Sequence, residues 1–296
     1  MGCIAVVGSC NMDLIVESAR RPKAGETVIG RRLILSAGGK GANQAVAAAR
    51  LGAKVYMVGC IGKDPYGNML LDAMKQSGVD TTHVHELDEE GTGTAHIVLS
   101  EGDNSIIVVK GANDRVDAAI VDEAWPDISS ADIVLLQNEI PLDTIRYVID
   151  RCFEEQLPVL YNPAPYVDMP KEWMNKVTYL TPNEHEAVLL FKGLEREEIV
   201  RLYPGKVIMT IGKDGVMYSD GHEAVTIPGF SVPVVDTTGA GDTMNGAFAA
   251  ALSSGIDLPD AIRFANGAAA LSIGKKGAQS GMPSKHEVEA FLSCRR

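Results

Sequence analysis

Val235-Asp236-Thr237-Thr238-Gly239-Ala240-Gly241-Asp242-Thr243-Met244-Asn245-Gly246-Ala247-Phe248 joins an apolar run to an Ala-rich helical run through a turn of three small residues. A strand passing directly into a helix is the repeating unit of an α/β fold. Gly239, Ala240 and Gly241 leave the N–H groups at the helix start free to point into open space, where the helix dipole adds positive potential. Such a turn is an anion site. It also carries a carboxylate, Asp242, which opposes anion binding unless it has a task of its own. A helix cap or first-turn acid is the plainer role. Capping, however, requires neither the flanking glycines nor the second acid, Asp236.

Upstream, Val232–Val235 is predicted as the strand feeding this turn, 216–227 as a hairpin and Val207–Ile211 as another strand. Ile133–Leu136, Val159–Tyr161 and Thr178–Leu180 are further strands, interleaved with helices over Leu142–Gln156 and Asn183–Leu190. The chain opens on a short buried strand, Ile4-Ala5-Val6-Val7, ending in Gly8-Ser9. Residues 43–52 read as an Ala-rich helix stopped by Gly52, Lys54–Gly59 as a strand, and Pro65–Gly78 as a helix with Pro at its start and Gly at its end. Helices over Ala240–Leu252, 259–273 and 285–293 close the chain. Such alternation implies a mostly parallel sheet covered on both faces.

Two stretches break the pattern. Residues 14–36 are polar and β-branched, interrupted by Arg21-Pro22 and Gly25. In 92–111, His96–Ser100 and Ser105–Lys110 flank Glu101-Gly102-Asp103-Asn104, a hairpin signal. The expectation is a three-layer α/β/α core from residues 1–13, 37–91 and 112–296. A small β-sheet made of 14–36 and 92–111 would sit over the strand ends as a lid.

Composition narrows the partners. With 27 basic and 39 acidic residues in 296, the formal charge is −12, which repels nucleic acid and anionic membrane surfaces. No apolar stretch approaches the length needed to span a bilayer, and no targeting segment precedes the first strand. Five dispersed cysteines without a C-x-x-C pair fit a reducing cytoplasm. None of the Gly-Lys pairs is followed by Ser or Thr, so there is no P-loop, and the GxGxxG fingerprint of dinucleotide-dependent dehydrogenases is missing. His83 and His85 flank Val84 and read as a surface pair rather than a metal site. An anionic ligand therefore needs a local device against the global field, and the 239–241 turn supplies one. A second glycine-rich turn, Ala37-Gly38-Gly39-Lys40-Gly41-Ala42-Asn43-Gln44, also precedes a helix. It offers amide donors and one charge to a small polar ligand, or a hinge between lid and core.

AGGKGANQAVAAARLG (37–52) and VDTTGAGDTMNGAFA (235–249) resemble the two signatures of the ribokinase-like (PfkB) carbohydrate kinases, in the family's order, and the resemblance covers essentially the whole chain. It implies ATP-dependent phosphorylation of the 5-hydroxyl of D-ribose in the cytoplasm. Asp242 would be the general base, and the amides of Gly239, Ala240 and Gly241 the anion hole. By the same resemblance Asn11, Asp13, Gly39, Lys40, Gly41, Asn43 and Glu139 would hold the sugar. Asn183, Thr210, Gly212, Lys213, Gly215, Gly241 and Asn266 would hold the nucleotide. Glu186, in Asn183-x-x-Glu186, would organise Mg²⁺ through water, an arrangement suited to an ion that keeps its hydration shell. Asp236, Thr238, Ser272, Lys275 and Gly277 correspond to a monovalent-cation (K⁺) site; Ser280 stands one position before the family's usual serine, leaving Gly281 as the last ligand. Asp242 would titrate near an ordinary carboxylate and need no tuning. The stretch between Asn183 and Thr210 is short for the family by an outer helix, and a homodimer through the lid is expected. Two alternatives stand beside this reading: another acceptor (deoxyribose, a nucleoside or a hexose), or a non-catalytic sugar sensor.

Overall fold

The computed structural model describes residues 2–101 and 103–295, so Gly102 of the expected hairpin turn lies outside the described residues. The chain runs β1 (Cys3–Val7), β2 (Asn11–Glu17), β3 (Arg32–Gly38), α1 (Lys40–Arg50), β4 (Lys54–Gly62), α2 (Pro65–Gln76) and β5 (Val79–Leu87). It continues through β6 (Gly93–Ser100), β7 (Asp103–Val109), α3 (Ala118–Ile128), β8 (Ile133–Gln137), α4 (Leu142–Glu154) and β9 (Val159–Asn162). Next come α5 (Trp173–Lys176), β10 (Tyr179–Leu180), α6 (Glu184–Leu190), α7 (Arg196–Leu202), β11 (Met209–Thr210), β12 (Val216–Ser219) and β13 (Ala224–Ile227). The last elements are α8 (Ala240–Ser253), α9 (Leu258–Ser272), α10 (Ala278–Gly281) and α11 (Lys285–Ser293).

Six strands pair in parallel in the order β10-β9-β8-β1-β4-β5. Period-two alternation splits β1 and β8 between two cores. Ile4, Val6, Ile133 and Leu135 pack into one cluster, while Ala5, Val7, Val134 and Leu136 pack into the other. Residues of α1, α2, α8 and α9 build the first cluster and those of α3, α4 and α7 the second, which gives the three layers. Single bridges from Leu180 to Val207 and from Asn183 to Thr210 carry the sheet on to the antiparallel β11-β12-β13.

A separate four-stranded sheet, β3-β2-β6-β7, is antiparallel except for the β2·β6 pair. It starts at Asn11, so Asn11 and Asp13, included in the expected core segment 1–13, stand on β2 of this sheet. Two further expectations are corrected. Residues 232–235 form no strand: Pro233 has no N–H to give, and the amides of Val235 and Asp236 both donate to the Ile273 carbonyl. His83 lies on β5, buried, 2.8 Å from Asp127 Oδ2, and is not a surface residue. Among the described residues no helix is long and apolar enough to cross a membrane.

Candidate active site

The glycine-rich loop before α1 packs on the chain's own backbone. A Cβ on Gly39 (φ 87) would stand 2.6 Å from the Asn11 nitrogen, and one on Gly41 2.5 Å from the Ser9 nitrogen. Helix α1 begins at Lys40, earlier than expected, and its first amides are already spent. Lys40 N donates to Glu139 Oε2 (2.9 Å), Gly41 N to Ser9 Oγ (3.3 Å) and Ala42 N to the Ser9 carbonyl (2.9 Å). These three helix amides are thus closed to a ligand; among the described residues the Gly39 amide meets no protein acceptor and, with the loop's side chains, stays open. Glu139 Oε2 also accepts from Ser9 Oγ and from Asn11 Nδ2 (3.5 Å). Asn113, unremarked in the sequence, fixes Asn11 by donating to its Oδ1 (2.7 Å) while accepting from Cys10 N (2.8 Å). Asp13 folds over Gly38, where a Cβ would lie 2.5 Å from Asp13 Oδ2. Burial, with Glu139 and Asp242 nearby, pushes the Asp13 carboxyl up to about 7.

Asp242 lies in the first turn of α8, buried, and faces a cavity of about 160 Å³ that Lys40, Gly239, Gly241 and Glu186 also line. Its Oδ2 accepts from Asn43 Nδ2 (2.9 Å) and its Oδ1 from Gln44 Nε2 (3.2 Å). Burial raises its pKa against the lowering pull of Lys40 and of the two amides, so the expectation of an ordinary carboxylate is corrected. Burial alone would depress Lys40, but Asp242, Glu139, Glu186 and Asp13 surround it and hold its ammonium above the usual lysine value.

The turn at 239–241 differs in one amide from the anion hole drawn from sequence. Gly239 is left-handed (φ 75), and a Cβ there would stand 2.8 Å from the Cβ of Ala278. Ala240 N donates to the Thr237 carbonyl (3.2 Å), which removes it from the hole. Among the described residues no protein acceptor meets the amides of Gly239, Gly241 or Asp242. The open donors are therefore these three. Asn245 braces the turn by donating to the Gly241 carbonyl (2.9 Å) and accepting from Thr181 Oγ1.

A second cavity, about 510 Å³, adjoins the first and is lined by Asn183, Thr210, Gly212, Gly215, Gly241 and Asn266 among others. Gly215 (φ 103) cannot carry a side chain, since a Cβ would meet the Ile227 carbonyl at 2.2 Å. Lys213 stands on the rim of a third, neighbouring cavity together with Asn266, whose Nδ2 donates to the Ile227 carbonyl (3.1 Å). Asn183 and Glu186 form a capping box: Asn183 Oδ1 accepts from Glu186 N (2.8 Å), and Glu186 Oε2 accepts from Asn183 N (2.9 Å). Only one carboxylate oxygen is used, which leaves Glu186 able to order a hydrated divalent ion.

The loop expected to hold a monovalent cation is compact. Asp236 Oδ1 accepts from Thr238 N and Oγ1, and its Oδ2 from Gly277 N (2.8 Å). A Cβ on Gly281 would lie 2.8 Å from the Ser272 carbonyl oxygen and 3.7 Å from that of Lys275. Two carbonyls thus converge where the side chain is absent, a donor set fit for a large, weakly hydrated ion. The Lys275 side chain turns away to Glu287 (3.0 Å).

Comparison with known proteins agrees with this geometry. Residues 1–285 match the pfkB family carbohydrate kinase. The chain is 53% identical to the ribokinase of Bacillus subtilis over 290 residues, 98% of this chain and 99% of that protein. It superposes on the crystal structure of ribokinase from Thermotoga maritima with a TM-score of 0.91 at 37% identity, covering 99% and 100% of the two chains. Against Arabidopsis thaliana ribokinase complexed with ribose and ATP the TM-score is 0.90 at 34% identity, with 98% of each chain covered.

Proposed function

The chain belongs to the pfkB family of carbohydrate kinases, and from that membership we propose that it transfers the γ-phosphoryl group of ATP to the 5-hydroxyl of D-ribose. The observation that carries the reading is the buried Asp242 carboxylate facing a cavity rimmed by the open amides of Gly239 and Gly241 and by Lys40.

Asn11, Asp13, Asn43 and Glu139 supply the acceptors and amides that suit a polyol. Asp242 takes the hydroxyl proton late, since a loose phosphoryl transition state does not require an early alkoxide. Burial raises its pKa, which makes it a stronger base than an exposed aspartate. The amides of Gly239, Gly241 and Asp242, with the Lys40 ammonium, stabilise charge on the migrating group; this electrostatic contribution is the larger one. Glu186, with one carboxylate oxygen free, would hold hydrated Mg²⁺ beside the nucleotide, and the ion would supply charge neutralisation of the phosphates. Asp236 and the carbonyls around Gly281 would hold K⁺, which would supply positive charge beside the turn. The four-stranded sheet acts as a lid that excludes water from the transfer.

Its exposed apolar residues, Leu33, Ile106, Ile107 and Val109 among them, offer the surface on which a second copy would pair. Excluding nucleic acid and membrane as partners rests on the negative charge alone.

The test is ADP release with ATP and a panel of ribose, deoxyribose, a nucleoside and fructose, with wild type and Asp242→Asn side by side. Ribose is expected to give the highest kcat/KM. Asp242→Asn is expected to bind both substrates and lose about 10²–10⁴-fold in turnover. A variant within a few-fold of wild type removes Asp242 as the base.

A further inference from the structure

Asp242 is held by more than its two direct donors. Gln44 is fully buried. Its Nε2 is shared between Asp242 Oδ1 (3.2 Å) and Asn162 Oδ1 (3.1 Å), and its Oε1 accepts from Gln137 Nε2 (2.8 Å). Asn162 is in turn pinned by donating to the Thr181 carbonyl (3.0 Å). The relay has a fixed direction. A carboxylate only accepts, so Gln44 must turn its NH₂ toward Asp242, and Gln137 must turn its NH₂ toward Gln44. The last acceptor has nowhere to go: Gln137 Oε1 is buried without a hydrogen-bond partner. An orphaned buried acceptor is destabilising, and the fixed direction of the relay is what leaves it there.

We propose that Gln44, oriented by Gln137, is a positioning residue that aims the Asp242 carboxylate at the acceptor hydroxyl. The proposal rests on the reading of Asp242 as the base. Neutral amides suit the task. A guanidinium there would orient the carboxylate equally well but suppress its basicity, whereas an amide leaves Asp242 free to take a proton. The charged and titratable groups that also face Asp242 are Lys40, Glu139 and Asp13, and among the described residues none of their side chains hydrogen-bonds the Gln44 side chain.

Gln44→Met keeps the length of the side chain and deletes both polar atoms. It is expected to lower kcat about 10–100-fold, to leave the KM values for ribose and ATP within about threefold, and to move the acidic limb of the kcat profile to higher pH, because Asp242 loses a donor. Gln137→Leu, which frees Gln44 to rotate, should show a smaller loss of the same kind and guards against misfolding of the first variant. The deciding measurement is a double-mutant cycle in the Asp242→Asn background, where Gln44→Met should cost less than about twofold. An undiminished second loss, or a Gln44→Met enzyme with wild-type kcat and pH limb, overturns the proposal. If Asp242→Asn alone keeps turnover, the reading of the base has failed, and the fault is not with Gln44.

Discussion

Asp13 shows how one side chain can be useful and costly together. Its carboxyl titrates at about 7 in the fold because burial and two neighbouring acids disfavour the charge. In the unfolded chain the same group ionises near 4. The folded state therefore binds the extra proton between about pH 4 and 7, and stability falls as pH rises across that window. Asp13→Asn removes the penalty. It is expected to stabilise the ligand-free protein by about 1–3 kcal/mol at pH 8, with the gain fading as pH falls through 7 toward 4. Urea melts of both proteins at pH 5 and pH 8 check it, and equal differences at the two values would contradict the assignment. Ribose binding should be lost in the same variant.

At the scale of an element, α6 does two jobs with one side chain. Glu186 closes the capping box, and on the proposed reading its other oxygen would serve hydrated Mg²⁺. The two jobs separate by substitution. Glu186→Gln retains the cap through its amide oxygen and loses the charge, so melting should stay within about 0.5 kcal/mol while the Mg²⁺ needed for half-maximal activity rises about 10-fold or more. Glu186→Ala should lose both, with about 1 kcal/mol of stability. Isothermal melts beside a Mg²⁺ titration decide the matter. The same scale shows what the sequence could tell. Strands such as β1 and β8 were legible because burial on both faces demands continuous apolar runs. β5 was missed because Val79–Leu87 carries two threonines and two histidines, and α3 because Pro126 interrupts its pattern. α7 is seven residues of mostly charged sequence, held at its start by a capping box. In the site, glycines and acids stood out because few other places need them. Gln44, Gln137, Asn113 and Asn162 did not, since a neutral amide is common everywhere. Gln44 and Asp242 are 198 positions apart, and only the fold brings them together.

At the scale of the whole molecule, the four-stranded sheet presents an open edge. Every residue of β7 is exposed, and Ile106, Ile107, Val108 and Val109 leave an apolar edge strand of the kind that recruits a second sheet. Light scattering at micromolar concentration should give a dimer, and Ile107→Lys should give a monomer with an unchanged core melting temperature. A wild-type monomer would rule out the assembly.

The path of β2 has a mechanical outcome. Asn11 and Asp13 belong to the four-stranded sheet, while Asp242 and Lys40 belong to the core, and only Gly8-Ser9-Cys10 separate β1 from β2. On the proposed reading, a motion that lifted the sheet would take Asn11 and Asp13 away from the sugar in the same stroke. Departure of the phosphorylated product and parting of the two bodies would then be a single event, geared together by three residues of main chain.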